Sequence, residues 1–168
     1  GVGFSEKHNK FFIVGSHLDG VIVLDEDFKT LKQISVSSKM ARDGEARHHC
    51  NDCLVLGDSL YVSMFSITGN WQREVYDGGV LEFDIESGEL IGPVIQNLWM
   101  PHNIKYFDGS INVLNSLRGQ LLANNAQVIG EFPAFARGLA HDGIFYYVGQ
   151  SKNRNYSKSI GMSNNISI

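Results

Sequence analysis

Five polar residues in three separate segments have side chains suited to catalysis or ligand binding. Asn51 and Asp52 are adjacent, His102 and Asn103 form a second pair, and Arg137 lies further along the chain. Asp52 and His102 are the predicted catalytic residues, because an imidazole exchanges protons near neutral pH and a carboxylate can assist it. The alternative for His102 is a structural one, in which the ring hydrogen-bonds to the backbone and orders a loop.

The oxygen atoms of these segments also predict a cation site. Asn51, Asp52 and Asn103 offer the carboxylate and amide oxygens that calcium and magnesium prefer, so either ion is the expected cofactor. Arg137 is predicted to hold a carboxylate or phosphate group through its planar guanidinium. Its alternative is a salt bridge to an acidic side chain of the neighbouring repeat.

Two further residues are predicted to extend a binding site formed with Asn51, Asn103 and Arg137. Trp71 lies in a long insert, residues 67–78, where it either covers a ligand or packs on a neighbouring repeat. Lys152 either adds positive charge to the rim of the site or belongs to a solvated surface. Long loops on a rigid scaffold often carry function, which favours the insert as part of a site.

The two cysteines, Cys50 and Cys53, follow His48 and His49 directly. Two imidazoles and two thiols can bind zinc, but a structural zinc site usually has a second ligand pair elsewhere, and this chain has none. On a regular strand the two thiols are expected to face opposite sides. Buried or loop cysteines are therefore the main expectation, with redox chemistry as a further alternative. So few cysteines argue against a disulfide scaffold and favour a reducing, cytoplasmic location.

Composition excludes several classes of function. The chain has 168 residues and a net charge of −4, and it lacks the basic patch that phosphate neutralisation needs, which argues against nucleic-acid binding. No apolar stretch approaches the length of about 18 residues that a membrane span needs. The chain also lacks a Gly-x-Ser-x-Gly nucleophile motif and a phosphate-binding P-loop.

The elements that must position these residues are repeated hairpins. Four segments share an apolar pair, a polar turn, an alternating apolar run and a small polar residue, and they end at Ser16, Ser66, Ser116 and Ser151. Turn dipeptides such as Asp108-Gly109 divide these segments into paired strands. A second strand pair follows each of the first three. Two hairpins per repeat predict a four-stranded meander, which is one blade of a β-propeller.

The predicted fold is therefore an all-β, partial β-propeller of four-stranded antiparallel blades, with about three and a half blades over residues 1–168. Propellers close with about 4–8 blades, so we expect one incomplete domain whose partner is the remaining blades of a longer chain. The alternative is an open β-sandwich. In a propeller the inner strands start at one end of the channel, so the repeat alignment predicts that Asp52, His102 and Arg137 occupy equivalent positions at its mouth.

An ordered set of short motifs extends over about residues 47–154. The motifs are Asp77-Gly78-Gly79-Val80, Ser87-Gly88-Glu89, Met100-Pro101-His102-Asn103, Leu114-Asn115-Ser116, Gly119-Gln120-Leu121, Pro133-Ala134-Phe135-Ala136-Arg137-Gly138-Leu139 and Val148-Gly149-Gln150-Ser151-Lys152. Their order and spacing resemble an uncharacterised bacterial β-propeller family of conserved hypothetical proteins, or domain of unknown function. The resemblance implies a propeller with more chain on both sides, and it implies no established activity.

A weaker likeness is limited to one point of the chain. Asn51 followed by Leu60-Tyr61-Val62 resembles six-bladed propellers of the gluconolactonase and senescence-marker type. That likeness implies a divalent metal held by carboxylate and amide oxygens near the channel mouth.

Two functions follow as hypotheses. The first is a propeller of unknown function that binds a small anionic ligand or a protein partner at the channel mouth. The alternative is a metal-dependent enzyme of the lactonase or sugar-acid hydrolase type, which would use Asp52 and His102.

Overall fold

The computed structural model describes residues 1–151, which form three four-stranded antiparallel sheets and a two-stranded hairpin. The first sheet contains β1 (Val2–Ser5), β2 (Lys10–Gly15), β3 (Gly20–Leu24) and β4 (Thr30–Ser35). The second contains β5 (Cys50–Leu56), β6 (Ser59–Met64), β7 (Gly78–Asp84) and β8 (Leu90–Leu98). The third contains β9 (His102–Phe107), β10 (Ser110–Asn115), β11 (Gln120–Ala123) and β12 (Gln127–Glu131). The hairpin contains β13 (Phe135–His141) and β14 (Tyr146–Ser151).

The strands follow chain order in every sheet, as in the blades of a propeller. The predicted fold class is confirmed: the chain is an all-β, partial β-propeller with about three and a half four-stranded antiparallel blades. The second strands of the four repeats end at Gly15, Met64, Asn115 and Ser151, within two residues of the predicted ends. That the domain is a fragment of a longer propeller stays a prediction.

The turns confirm the reading of Asp108-Gly109 as a hairpin signal. Both residues have positive φ, 50° and 78°, and they connect Phe107 directly to its strand partner Ser110. A two-residue turn of this kind needs positive φ at both positions, which asparagine, aspartate and glycine tolerate best. The local sequence therefore sets the register of β9 against β10.

The blades pack face to face through three apolar clusters. Members of these clusters are Phe12 and Leu60 between the first two blades, Val80 and Val113 between the next two, and Leu121 and Leu139 between the third blade and the hairpin. Burial of such side chains stabilises the fold by about 25 cal/mol per Å² of apolar surface. The strands β1, β5, β9 and β13 contact one another in sequence, so they are the inner strands of consecutive blades.

The inner strand of the second blade begins with a β-bulge. Pairing between β5 and β6 shifts between Cys50 and Asp52, so Asn51 is an extra residue. Cys50 then lies opposite Met64 and Cys53 opposite Val62, and both thiols join the first apolar cluster. The expectation that the two thiols face opposite sides is wrong, because a bulge resets the alternation of side chains along a strand.

The same register changes one predicted equivalence. In the third blade His102 lies opposite Leu114, and in the second blade Cys50 lies opposite Met64. Leu114 and Met64 each lie two residues before the serine that ends their repeat. His102 therefore corresponds to Cys50, and the predicted match of Asp52 with His102 is off by two residues, because the first hairpin of the second blade is one residue pair longer than that of the third. The two residues nevertheless approach each other in space, as described below.

The connections between strands contain little helix. A single short helix, α1 (Lys39–Asp43), ends at Gly44, whose left-handed backbone (φ 70°) lets its N–H donate to the Met40 oxygen over 2.9 Å. Two 3₁₀ turns occupy Trp71–Arg73 and Ser116–Arg118. Within residues 1–151, no helix has the length and apolar character needed to cross a membrane.

Candidate functional site

A cleft of about 310 Å³ opens where the inner strands begin. Six of its lining residues were named from the sequence, namely Asn51, Asp52, His102, Asn103, Arg137 and Gly138. The other three are Gly1, Ser16 and His49. The volume is near the lower end of the range of about 300–1,000 Å³ for small-molecule sites. The structure thus brings together the segments around positions 51, 102 and 137, as the propeller argument predicts.

Asn51 and Asn103 join neighbouring blades at this cleft. The amide nitrogen of Asn51 donates to the Pro101 backbone oxygen over 2.8 Å, and its amide oxygen accepts from the Ser63 hydroxyl over 2.6 Å. Asn103 has φ 55°, and its amide oxygen accepts from the backbone N–H of Gly138 over 2.7 Å. Both side chains therefore have structural bonds before any ligand is considered.

His102 combines a structural role with an open position. Its Nδ1 lies 3.1 Å from the Met100 backbone oxygen and 3.0 Å from the Ser116 hydroxyl. Because a backbone oxygen only accepts, Nδ1 carries the proton and Nε2 is an acceptor. Nε2 has no hydrogen-bond partner within residues 1–151. The predicted loop-ordering bond is present, and it leaves the other nitrogen of the ring available.

The surroundings of His102 keep its ring neutral. Burial, followed by the nearby Arg137 guanidinium, lowers the pKa of His102 to about 3. Phe65 and Phe135 contact the ring edge to face, with centroid distances of 5.1 and 5.5 Å. At neutral pH the Nε2 atom is therefore a hydrogen-bond acceptor or a base.

Asp52 is buried at the cleft, with only 8% of its surface exposed. Its Oδ1 accepts from the backbone N–H of Cys53 over 3.0 Å. Its Oδ2 is buried and has no hydrogen-bond partner among residues 1–151. A buried carboxylate oxygen without a partner is rare in folded proteins, because it loses water without gaining a donor.

Arg137 supplies the positive charge of the cleft. The residue is exposed, and its guanidinium makes no hydrogen bond or ion pair with any residue of the described chain 1–151. The predicted alternative, a salt bridge to an acidic residue of the next repeat, does not occur in that part of the chain. Its charge acts on the imidazoles of His49 and His102, lowering the pKa of each.

His49, which the sequence offers only as a candidate zinc ligand, also lines the cleft. It lies in the left-handed region (φ 54°), and its ring stacks on Phe65 at 4.2 Å. Burial is the largest cause of its lowered pKa. The buried Asp19 holds this loop by accepting the backbone N–H groups of Arg47, His48 and His49, the last two over 2.7 and 2.8 Å. Only the fold brings Asp19 to this loop, so local spacing carries no signal for it.

Trp71 does not line the described cleft. Trp71 packs behind it, 5.0 Å from the His49 ring and 5.7 Å from the Phe65 ring, so it supports the wall of the cleft. The predicted contact of Trp71 with a ligand is therefore indirect. Lys152 lies outside the described residues.

The predicted metal sites find little support in the side chains present. Cys50 and Cys53 are buried free thiols, and both ring nitrogens of His48 have partners, Ser37 at 2.7 Å and the Ser66 oxygen at 2.9 Å. In residues 1–151 no group of three His, Cys, Asp or Glu side chains could hold a metal ion. Asp52 is the one carboxylate in the predicted set of calcium or magnesium ligands at the cleft. The amide oxygens of the other two predicted ligands, Asn51 and Asn103, already accept hydrogen bonds. The donor set therefore does not fit a divalent ion.

Comparisons with known proteins agree with the fold. A crystal structure of a nidogen/laminin complex is similar with a TM-score of 0.65 and 13% identity, over 89% of this chain and 54% of that one. A protein of unknown function from Bacteroides caccae is similar with a TM-score of 0.58 and 14% identity, over 90% of this chain and 52% of that one. At such identities the likeness shows the fold alone, and the chain spans about half the length of these structures.

A search of curated proteins finds no match. A family model matches residues 7–166, which is nearly the whole chain. The chain therefore belongs to the family described as "Domain of unknown function (DUF4915)".

Proposed function

We propose that the cleft binds the anionic group of a small ligand, and that Arg137 is the residue that holds it. The observation that supports this proposal most strongly is the guanidinium of Arg137, which lines the cleft without a partner in residues 1–151. Guanidinium groups bind carboxylates and phosphates through two parallel N–H bonds. Neither His49 nor His102 supplies a second charge, since burial lowers the pKa of both rings.

A small molecule fits this cleft better than a protein partner. The site is a concavity of about 310 Å³ at the start of the inner strands, which is the size of a small-molecule pocket. A stable protein interface instead needs an extended surface of about 800 Å² on each side. Asn51 and Asn103 are fixed by hydrogen bonds between neighbouring elements. A rigid wall of this kind reduces the entropy that a ligand must lose on binding.

The metal-dependent hydrolase alternative has no specific observation in its favour. Asp52 and His102 line the same cleft, yet the amide oxygens of Asn51 and Asn103 already accept hydrogen bonds. We derive no catalytic step through a metal ion for these residues.

The proposal is tested by titrating the 168-residue chain with acetate, propionate and inorganic phosphate, followed by ¹H–¹⁵N NMR. We expect saturable chemical-shift changes in the amide signals of residues around the cleft. Arg137→Gln should bind these anions at least about tenfold more weakly, because the bond to a charged group is removed. Arg73→Gln is the matched control, since Arg73 is an exposed arginine outside the cleft. Equal anion binding by wild-type protein and Arg137→Gln would overturn the proposal.

A further inference from the structure

The cleft contains a second unpaired charged group, the carboxylate of Asp52. Its Oδ2 is buried without a partner, while Oδ1 receives a single bond from the backbone of Cys53. A buried acceptor without a donor costs about 1–3 kcal/mol, and more when it is charged. Such a group indicates a donor that comes from outside the described chain.

Three donors that border the cleft already make hydrogen bonds. The amide nitrogen of Asn51 donates to Pro101, and Nδ1 of His102 donates to Met100. The amino group of Gly1 donates to the Asn51 backbone oxygen over 2.7 Å. The unpaired Nε2 of His102 is an acceptor as well, so it competes for a donor rather than supplying one.

The side-chain charges of the lining residues are balanced but not paired. Arg137 is positive, Asp52 is a carboxylate, and the two imidazoles are kept neutral by burial. Arg137 and Asp52 form no ion pair with each other, although both line a cleft of only about 310 Å³. A ligand with a single negative charge would satisfy Arg137 and leave the carboxylate of Asp52 without a partner. A ligand with both charges satisfies both residues.

We propose that the ligand is a small zwitterion, an amino-carboxylate of the size of a free amino acid. Its carboxylate binds the guanidinium of Arg137, and its protonated amine donates to the carboxylate of Asp52, with Nε2 of His102 as a second acceptor for the same amine. The inference rests on the proposed function, because it uses Arg137 as the anchor of the carboxylate. It adds a requirement that anion binding alone does not have, namely a positively charged donor on the ligand.

The test compares three size-matched acids, alanine, lactate and propionate, in the same NMR titration. They share a carboxylate and a methyl group, and they differ in carrying an ammonium group, a hydroxyl group or a hydrogen atom at the carbon between the two. We expect alanine to bind at least about tenfold more tightly than the other two, since a charged hydrogen bond to a buried carboxylate exceeds a neutral one. Equal binding of the three acids, or a preference for lactate, would overturn the zwitterion while leaving anion binding at Arg137 intact.

Two variants separate this inference from the proposed function. Asp52→Asn keeps an acceptor for the N–H of Cys53, and it is expected to abolish the preference for alanine, because the carboxylate that receives the ammonium group is removed. Arg137→Gln is expected to weaken all three acids together. Asp27→Asn is the matched control, because Asp27 is an exposed carboxylate outside the cleft. A preference for alanine that persists in Asp52→Asn would contradict the role of Asp52.

Discussion

The side-chain oxygen of Asn103 accepts a hydrogen bond of 2.7 Å from the backbone N–H of Gly138. This bond joins the bulged start of β9 to the bulged start of β13, where both backbones have positive φ, 55° at Asn103 and 85° at Gly138. Two irregular strand starts thereby stabilise each other across the third blade and the hairpin. Both residues line the cleft, so this contact is part of its wall.

Replacing Asn103 should therefore cost stability for two separable reasons. Asn103→Ala is expected to lower the free energy of unfolding by about 2 kcal/mol, because it removes the bond to Gly138 and places a Cβ-bearing residue without a local hydrogen bond in the left-handed region. Asn103→Gly tolerates that backbone and should lose less, about 1 kcal/mol. Urea denaturation measures both values. Equal losses for the two variants would show that backbone conformation contributes nothing.

Asp19 is expected to be the main support of the loop that presents His49. Asp19→Ala leaves three backbone N–H groups of residues 47–49 without their acceptor, so we expect a loss of about 2–4 kcal/mol in urea denaturation. The same variant should release the stacking of His49 on Phe65, which changes the NMR signals of both rings. Asp27→Ala, at an exposed turn, is the control and should change little. An unchanged His49 signal in Asp19→Ala would contradict the positioning role.

The neutral state of His102 predicts a pH dependence of stability. Its pKa is lowered to about 3 by burial, whereas an unfolded chain binds the proton near pH 6.5. The unfolded state therefore binds more protons in this window, and stability is complete above about pH 6.5 and lost as the pH falls toward 3. The slope attributable to His102 approaches about 1.4 kcal/mol per pH unit.

The measurement is urea denaturation of wild-type protein and His102→Asn between pH 8 and pH 5. Asparagine keeps a donor near the position of Nδ1 and does not titrate, so the difference between the two proteins isolates this imidazole. We expect the wild type to lose more stability than the variant over this range. Parallel curves would show that His102 titrates normally.

The two cysteines should be inert in the folded protein. Burial raises the pKa of Cys53 to about 12 and that of Cys50 well above its usual range. Because the thiolate is the reactive form, the native chain should not react with a thiol reagent such as dithionitrobenzoate at pH 8. Unfolding in guanidinium chloride should expose both thiols. Fast labelling of one thiol in the native state would indicate local opening at the start of β5.

The sequence allowed the blades and the convergence of the site segments to be predicted, because both depend on periodic patterns. Alternating apolar runs and dipeptides such as Asp108-Gly109 determine strand pairing locally. The arithmetic of repeats then places Asn51, His102 and Arg137 at one end of the inner strands. The same count of repeats predicts the propeller fold and the partial set of blades that the described residues form.

Side-chain direction and long-range support could not be predicted in the same way. The bulge at Asn51 is invisible to a pattern of alternation, and it changed the facing of Cys50 and Cys53. The longer hairpin of the second blade changed the residue that corresponds to His102. The contact of Asp19 with the loop before β5 spans two blades. For Trp71 the loop alone could not decide between covering a ligand and packing on a neighbouring repeat, and in the structure its ring packs against Phe65 behind the cleft.

Hydrogen bonds at the cleft also connect one structural unit to the next. Asn51 reaches the loop before the third blade, and Asn103 reaches the hairpin after it. Tilting one unit against its neighbour must therefore stretch a bond at the edge of the cleft. A ligand that bridges Asp52 and Arg137 would bear part of that mechanical load, so an occupied cleft would resist forces that separate the second blade from the hairpin.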